Sequence, residues 1–370
     1  MFFKDLPTVS QSHLAARRIS WISGDWRRGG GRRIKANGVF EGGGVKGISL
    51  VGAVRAAELN GVELDRVAGT SSGSIVASLV ATGYTAAEMK LIIESAPFAS
   101  FLRRSKAFAL PLVGPALRLL FKKGLYSGDA LERWIRNLLR QKGVVTFGDL
   151  EKGKLKIVAS DITNGRLMVL PDDLSEYGLD PERFEVARAV RMSASIPFFF
   201  EPVLLPLRPE GTGERRRRRI AKAVRTVCVV DGGLLSNFPL WLFDREAEEN
   251  GRPVIGFQMV GRSEAKPRTI GGPLSMLQAM FETMLSAHDE RYIERYNAIR
   301  TIKIPTLGIG TTDFHLSAEE SERLYLSGLA AGERFFEQWD RKTGMLRPAG
   351  SRGSPQEERA GGVLIRFSAR

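Results

Sequence analysis

The chain has a single cysteine, three histidines and no hydrophobic run long enough to span a bilayer. Cys228 has no intrachain partner, so a disulfide scaffold is excluded and the composition fits a reducing compartment. His13, His288 and His315 leave little for a histidine-rich metal site. The most apolar stretch, 107–121, is short and is interrupted by Pro111, Pro115 and Arg118. The N-terminus lacks the apolar core of a secretory signal. Arg17-Arg18 is followed by Gly24, Asp25, Trp26, Arg27 and Arg28 where that core would have to lie. These absences point to a cytoplasmic or peripherally membrane-associated protein. Forty glycines without a G-X-Y period, and no sustained heptads, exclude collagen and coiled coil. What is there, 370 residues at 43% hydrophobic and 26% charged, has material for a large core.

Charge is the unusual property. Lys and Arg number 55 against 41 Asp and Glu, a net of +14. Three segments hold the excess: 1–36 carries +6, 98–124 carries +6 without an acid, and 215–225 carries +7. The remainder is net −5, so the globular part is mildly acidic. Such segments call for an anionic partner: nucleic acid, an acidic membrane surface or an anionic substrate. A polyanion-binding protein is one reading. Few aromatics for base stacking, and no helix-turn-helix or zinc motif, speak against it. Residues 98–124 mix Phe and Leu with six bases. They read equally as a segment lying on an anionic bilayer or as a cap with its apolar face on the core.

Residues 34–41 read as a buried strand running into glycines, and 45–59 as an apolar-faced helix stopped by Asn60-Gly61. A second strand at 66–69 leads to a buried helix over 72–82. This repeated strand–Gly-turn–helix rhythm predicts an α/β fold with a parallel sheet. Further strands are expected at 155–161, 167–170, 226–230, 253–259 and 301–305. Helices are expected at 128–140, 182–193, 272–299 and 317–339. No linker interrupts 36–340, which reads as one domain between a flexible basic arm (1–35) and a loose tail (341–370).

Three places carry candidate chemistry. Gly42-Gly43-Gly44-Val45-Lys46-Gly47 lies between a strand and a helix N-terminus, where turned backbone N–H groups can hold a phosphate or an oxyanion. It also fits G-x-G-x-x-G, although Glu63 and Asp65 precede the second strand rather than end it, as a dinucleotide site would require. A plain structural turn remains open. Gly69-Thr70-Ser71-Ser72-Gly73 fits the G-x-S-x-G nucleophile elbow, and its register selects Ser71 over Ser72 and Ser74. A serine-rich helix cap is the alternative. Asp231, delivered by an apolar strand onto Gly232-Gly233, is either a buried base with a raised pKa or a turn cap. None of the histidines follows a strand as a triad histidine does.

In this order the three elements resemble the patatin-like phospholipases: a G-G-G-x-[KR]-G loop, a G-x-S-x-G elbow and a downstream D-G-[GA]. Other segments are similar to bacterial members. These are Phe40-Glu41 before the glycines, Gly124-Leu125-Tyr126-Ser127-Gly128-Asp129, Ser193-Ala194-Ser195-Ile196-Pro197 with Phe200-Glu201-Pro202, and Thr312-Asp313-Phe314. The resemblance spans 36–340. It implies a three-layer α/β fold, with a mostly parallel central sheet and helices on both faces. It also implies a Ser-Asp dyad that cleaves lipid acyl esters, of the phospholipase A or lysophospholipase type. Ser71 would be the nucleophile and Asp231 the base. The N–H groups of Gly43, Gly44 and Val45 would hold the oxyanion, within a loop completed by Gly42, Lys46 and Gly47. Lys46 is left with two roles, bracing the loop or attracting a lipid phosphate. Gly69 and Gly73 would frame the elbow, and Gly232 and Gly233 would support Asp231. The implied partners are a phospholipid substrate and an anionic membrane surface, with no metal, no cofactor and no nucleic acid. The five arginines at 215–219 read as an insertion specific to this chain, to which the resemblance assigns no role.

Overall fold

The computed structural model describes residues 33–102, 122–207, 226–261, 299–311 and 316–340, with isolated positions between 270 and 346. Most of the arm, most of 98–124, the arginine run at 215–219, most of the helix expected over 272–299, most of the tail, all three histidines, Thr312 and Phe314 lie outside the described residues.

One sheet of eight strands organises the chain, in the order β10-β9-β1-β2-β4-β8-β7, with β5 on the free edge of β4. The strands are β1 (Ile34–Phe40), β2 (Val62–Thr70), β4 (Leu155–Asp161), β5 (Arg166–Leu170), β7 (Val203–Pro206), β8 (Thr226–Asp231), β9 (Val254–Val260) and β10 (Thr301–Pro305). β10, β9, β1, β2 and β4 pair in parallel, whereas β5, β8 and β7 enter antiparallel. Off this sheet, β3 (Gly124–Tyr126) pairs with β6 (Phe198–Phe200), and β11 (Trp339–Asp340) with β12 (Met345–Leu346). The fold is the expected α/β class with a mostly parallel central sheet.

Alternation along the strands divides the apolar residues between two faces. Ala36, Phe40, Val67, Ile255 and Phe257 join the large core, where the Phe40 and Phe257 rings stack at 4.6 Å. Above them lie helices α1 (Gly47–Leu59), α2 (Ser72–Ala81), α3 (Ala86–Glu94), α4 (Phe98–Phe101), α5 (Asp129–Gln141) and α6 (Val186–Ser193). Val39, Ala68 and Val254 point the other way. Leu240 and Phe243 cover them, just before α7 (Asp244–Asn250). The last helix, α8 (Ala318–Gln338), packs along α1. Each fully buried Phe or Leu contributes about 2–3 kcal/mol of transfer free energy.

Two boundaries differ from expectation. β2 is longer than 66–69, so Glu63 and Asp65 lie within it. They point outward and pair with Arg33, Lys35, Lys154 and Arg252, while Val62 and Leu64 turn into the core. The helix expected from 182 starts at Val186, because Glu185 keeps extended backbone (φ −68, ψ 128) and bridges to Thr146. β3, β6 and β7, of three or four residues each, are too short for alternation to reveal.

The topology brings two strand ends together. β2 runs parallel to β4 and ends with Thr70 opposite Val158. β8 runs antiparallel to β4 and ends with Asp231 opposite Ala159. The two strands therefore approach adjacent residues of β4 from opposite directions, and the residues that follow meet.

Candidate active site

Ser71 stands in the turn between β2 and α2 with φ 52 and ψ −125, a region non-glycine residues rarely occupy. The turn is sharp because its flanks have no side chains. A Cβ on Gly69 would lie 2.3 Å from the Gly73 carbonyl oxygen, and one on Gly73 would lie 2.3 Å from the Phe40 carbonyl oxygen. The three serines separate by their bonds. Ser74 Oγ donates to the Ser71 carbonyl at 2.6 Å, and Ser72 Oγ accepts from Gly43 N–H at 3.0 Å. Ser71 is the one beside Asp231.

Asp231 is 1% exposed. Its Oδ1 accepts from Gly233 N–H at 2.8 Å, and its Oδ2 has no hydrogen-bond partner among the described residues. The Ser71 hydroxyl lies near enough to favour the charged carboxylate without closing a bond to Oδ2. Desolvation outweighs both influences and pushes the carboxyl up to about 7. Oδ1 caps the turn while Oδ2 stays unbonded among the described residues, so the two alternatives left by the sequence are compatible here.

The glycine loop reaches the same point. Gly42 N–H donates to the Asn237 carbonyl at 3.2 Å, and Asn237 Nδ2 donates back to the Gly42 carbonyl at 3.1 Å. Gly43 N–H is taken by Ser72 Oγ, and Val45 N–H donates to the Thr311 carbonyl at 3.2 Å. Gly44, at φ +60, is the member whose N–H has no acceptor among the described residues. Ser72 N–H, first in α2, has none either. Lys46 closes the short turn Gly44–Lys46 and accepts at its carbonyl from Ser49 Oγ at 2.9 Å, and Gly47 opens α1. A Cβ on Gly232 would lie 2.2 Å from the Val158 carbonyl oxygen.

A further strut went unread in the sequence as a site feature. Ser71 N–H donates to Ser193 Oγ at 2.8 Å, and that hydroxyl donates on to the Val158 carbonyl at 2.6 Å. Two residues later the Ser195 carbonyl accepts from Asp231 N–H at 2.9 Å. The end of α6 thus holds the amides of both Ser71 and Asp231. Arg191, buried in α6, braces this end through Ser195 Oγ and the Glu201 carbonyl, and burial lowers its pKa to about 10. Ser193 stands within a sequence motif, but only folding reveals which atoms it and Asn237 meet.

Ser71, Ser72, Gly44 and Val45 open onto a pocket otherwise walled by hydrocarbon, including Ile48, Ile75, Val76, Phe101, Trp134 and Ile196. Glu63 and Asp65, the acids a dinucleotide site would recruit, sit in ion pairs in the first half of β2, away from the glycine loop at its end. Among the described residues no group of three or more His, Cys, Asp or Glu could hold a metal ion, and no helix is long and apolar enough to cross a membrane.

Residues 38–244, which include the glycine loop, the elbow and Asp231, match the family model for patatin-like phospholipase. The chain belongs to the patatin-like phospholipase family. This patatin-like chain is 45% identical to the uncharacterized protein YqhO of Bacillus subtilis over 305 residues, 82% of this chain and 98% of YqhO. It is 23% identical to lysophospholipase NTE1 of Lodderomyces elongisporus over 341 residues, 84% of this chain and 20% of that protein. Among solved structures it is similar to VipD from Legionella pneumophila, at 17% identity and a TM-score of 0.46, over 82% of this chain and 67% of VipD.

Proposed function

We propose that the chain is a serine hydrolase of lipid acyl esters, of the phospholipase A or lysophospholipase type. The observation that carries this reading is a serine on a strained elbow beside a fully buried carboxyl tuned to about 7, at the mouth of a hydrocarbon-lined pocket. Family membership and the similarity to a lysophospholipase support it.

Asp231 accepts the Ser71 hydroxyl proton as Oγ attacks the ester carbonyl carbon. The carbonyl oxygen becomes an oxyanion. Gly44 N–H and Ser72 N–H, both without acceptors, are the donors best placed to receive it. A single such donor is typically worth about 3 kcal/mol in the transition state. The bond to the leaving alcohol breaks, Asp231 returns its proton to that oxygen, and an acyl-Ser71 remains. Water then attacks the acyl carbon, loses a proton to Asp231 and releases the fatty acid, and the proton goes back to Ser71. Gly43 and Val45 N–H groups hold the loop through Ser72 Oγ and the Thr311 carbonyl. The substrate is a membrane phospholipid, and the basic segments bring the enzyme to an anionic surface.

Mass spectrometry of products from mixed-lipid liposomes tests the reading. The wild type should release fatty acids and lysolipid. Ser71→Ala and Asp231→Asn should each lower release by about 10⁴-fold or more while remaining folded. Full activity in either variant sinks the dyad.

A further inference from the structure

We propose that the indole ring of Trp134 is the end wall that sets how long an acyl chain the pocket accepts. This rests on the ester-hydrolase reading for its substrate class. The pocket begins at Ser71 and Gly44 and runs beside the first turn of α2, where Ser72, Ile75 and Val76 recur at helical spacing. Leu131 and Trp134, three apart on α5, line it from the opposite helix. The Trp134 ring packs on Phe101 at 5.4 Å and 57°, and Phe101 packs on Phe98 at 5.8 Å. Trp134 therefore sits in an aromatic stack rather than swinging free.

The decisive observation lies on its other side. A second hollow, lined by Pro97, Ser100, Ser127, Arg133 and Asn137, also has Trp134 in its wall. Among the described residues no other side chain lines both. The ring divides a hydrocarbon-lined cavity that contains the nucleophile from one of mixed polar and apolar lining that does not. A chain lying in the first cavity gains about fourfold in affinity for each methylene it buries, until its tip meets the ring. Beyond the ring, a lining that mixes Arg133, Asn137, Ser100 and Ser127 with Pro97 and Ala130 offers a smaller gain per methylene.

The test is binding, so it does not depend on turnover. Saturated fatty acids of increasing length, from octanoate to stearate, are titrated by calorimetry into the full chain carrying Ser71→Ala. Affinity should climb about fourfold per methylene and then level off at a definite length. Adding Trp134→Ala should move the levelling point to longer chains. Trp134→Phe, which keeps an aromatic ring in the stack and guards against loss of folding, should move it less. A levelling point unchanged in both variants, or no binding of any chain, overturns the proposal. Binding that follows this pattern in a protein that cleaves no liposomal ester would leave the wall standing and defeat the hydrolase reading alone.

Discussion

Asp231 carries two opposed consequences of one burial. Its folded pKa of about 7 lies well above the 3.8 of a free aspartate. In the proposed mechanism Asp231 must be ionised to accept a proton from Ser71, so kcat/KM should rise with pH through about 7 and level off above 8. Stability runs the other way. A group whose pKa is raised on folding adds stability that is fully present below about pH 4 and is lost as pH rises through about 7. At 1.36 kcal/mol per unit, the buried charge costs the native state up to about 4 kcal/mol at pH 8. Asp65, Glu88, Asp149 and Glu320 have lowered pKa values, so their contributions fade only in acid, below this window. Asp231→Asn should therefore lose activity yet melt at higher temperature than wild type at pH 8, with the gap closing toward pH 5. Thermal melts of both proteins across pH 5–8 check this, and a constant gap would place the pKa elsewhere. Ser193 differs in kind, as a positioning residue. Ser193→Ala leaves Ser71 N–H and the Val158 carbonyl without partners at the strained elbow. It should lower kcat by on the order of tenfold with little change in KM, and Ser193→Thr, which restores the hydroxyl, should recover much of the loss. Equal losses in both variants would reduce Ser193 to a packing role. The sequence made Ser71 and Asp231 legible because each ends a strand on small residues. Ser193 and Asn237 were not legible as site residues, since their roles depend on contacts 122 and 195 residues away.

At the scale of elements, periodicity located what is long and amphipathic. The helix read over 45–59 is a short turn followed by Gly47–Leu59, and that read over 317–339 is Ala318–Gln338. Leu155–Asp161 and Thr301–Pro305 fall where strands were expected. The direction of β8 was not legible, because an apolar run reads alike in parallel and antiparallel strands. That direction decides the site, since only an antiparallel β8 meets β2 end to end along β4. The closeness of α1 to α8 was equally hidden. Gly52 and Gly328 let the two helices touch backbone to backbone. A Cβ on Gly328 would lie 1.8 Å from the Ser49 carbonyl oxygen, and one on Gly52 would lie 2.0 Å from the Tyr325 carbonyl oxygen. Replacing an exposed helical glycine by alanine ordinarily gains about 1 kcal/mol. Here the methyl meets backbone that cannot rotate aside, so overpacking outweighs propensity. Gly328→Ala should destabilise by about 2 kcal/mol or more in denaturant unfolding. A gain in stability would mean that the helices separate at little cost. Because α1 begins at the glycine loop, the same variant should also lower turnover.

Over the whole molecule, charge and fold are distributed differently. The sheet draws on strands from Ile34 to Pro305, and β9 and β10, beyond the residues matched by the family model, complete it beside β1. The basic excess lies instead in segments outside or at the margins of the described residues, with the rest of the chain at −5. A catalytic body of mildly acidic charge would be repelled by an anionic bilayer, so attraction has to come from those segments. Near such a surface each Lys or Arg contributes about 1 kcal/mol, falling off within a Debye length of about 8 Å at physiological salt. Two outcomes follow for sedimentation with phosphatidylglycerol-containing vesicles. Binding should weaken steeply between 50 and 500 mM salt, values on the order of those that collapse the Debye length toward 4 Å. Replacing the five arginines at 215–219 by serine should cut vesicle affinity by more than about tenfold, since five charges at this scale outweigh the other losses. Hydrolysis of a water-soluble short-chain ester, which needs no surface, should be unaffected by those substitutions. If the serine variant instead keeps its vesicle affinity and loses binding to duplex DNA, the charge serves a nucleic acid and the membrane account of it fails.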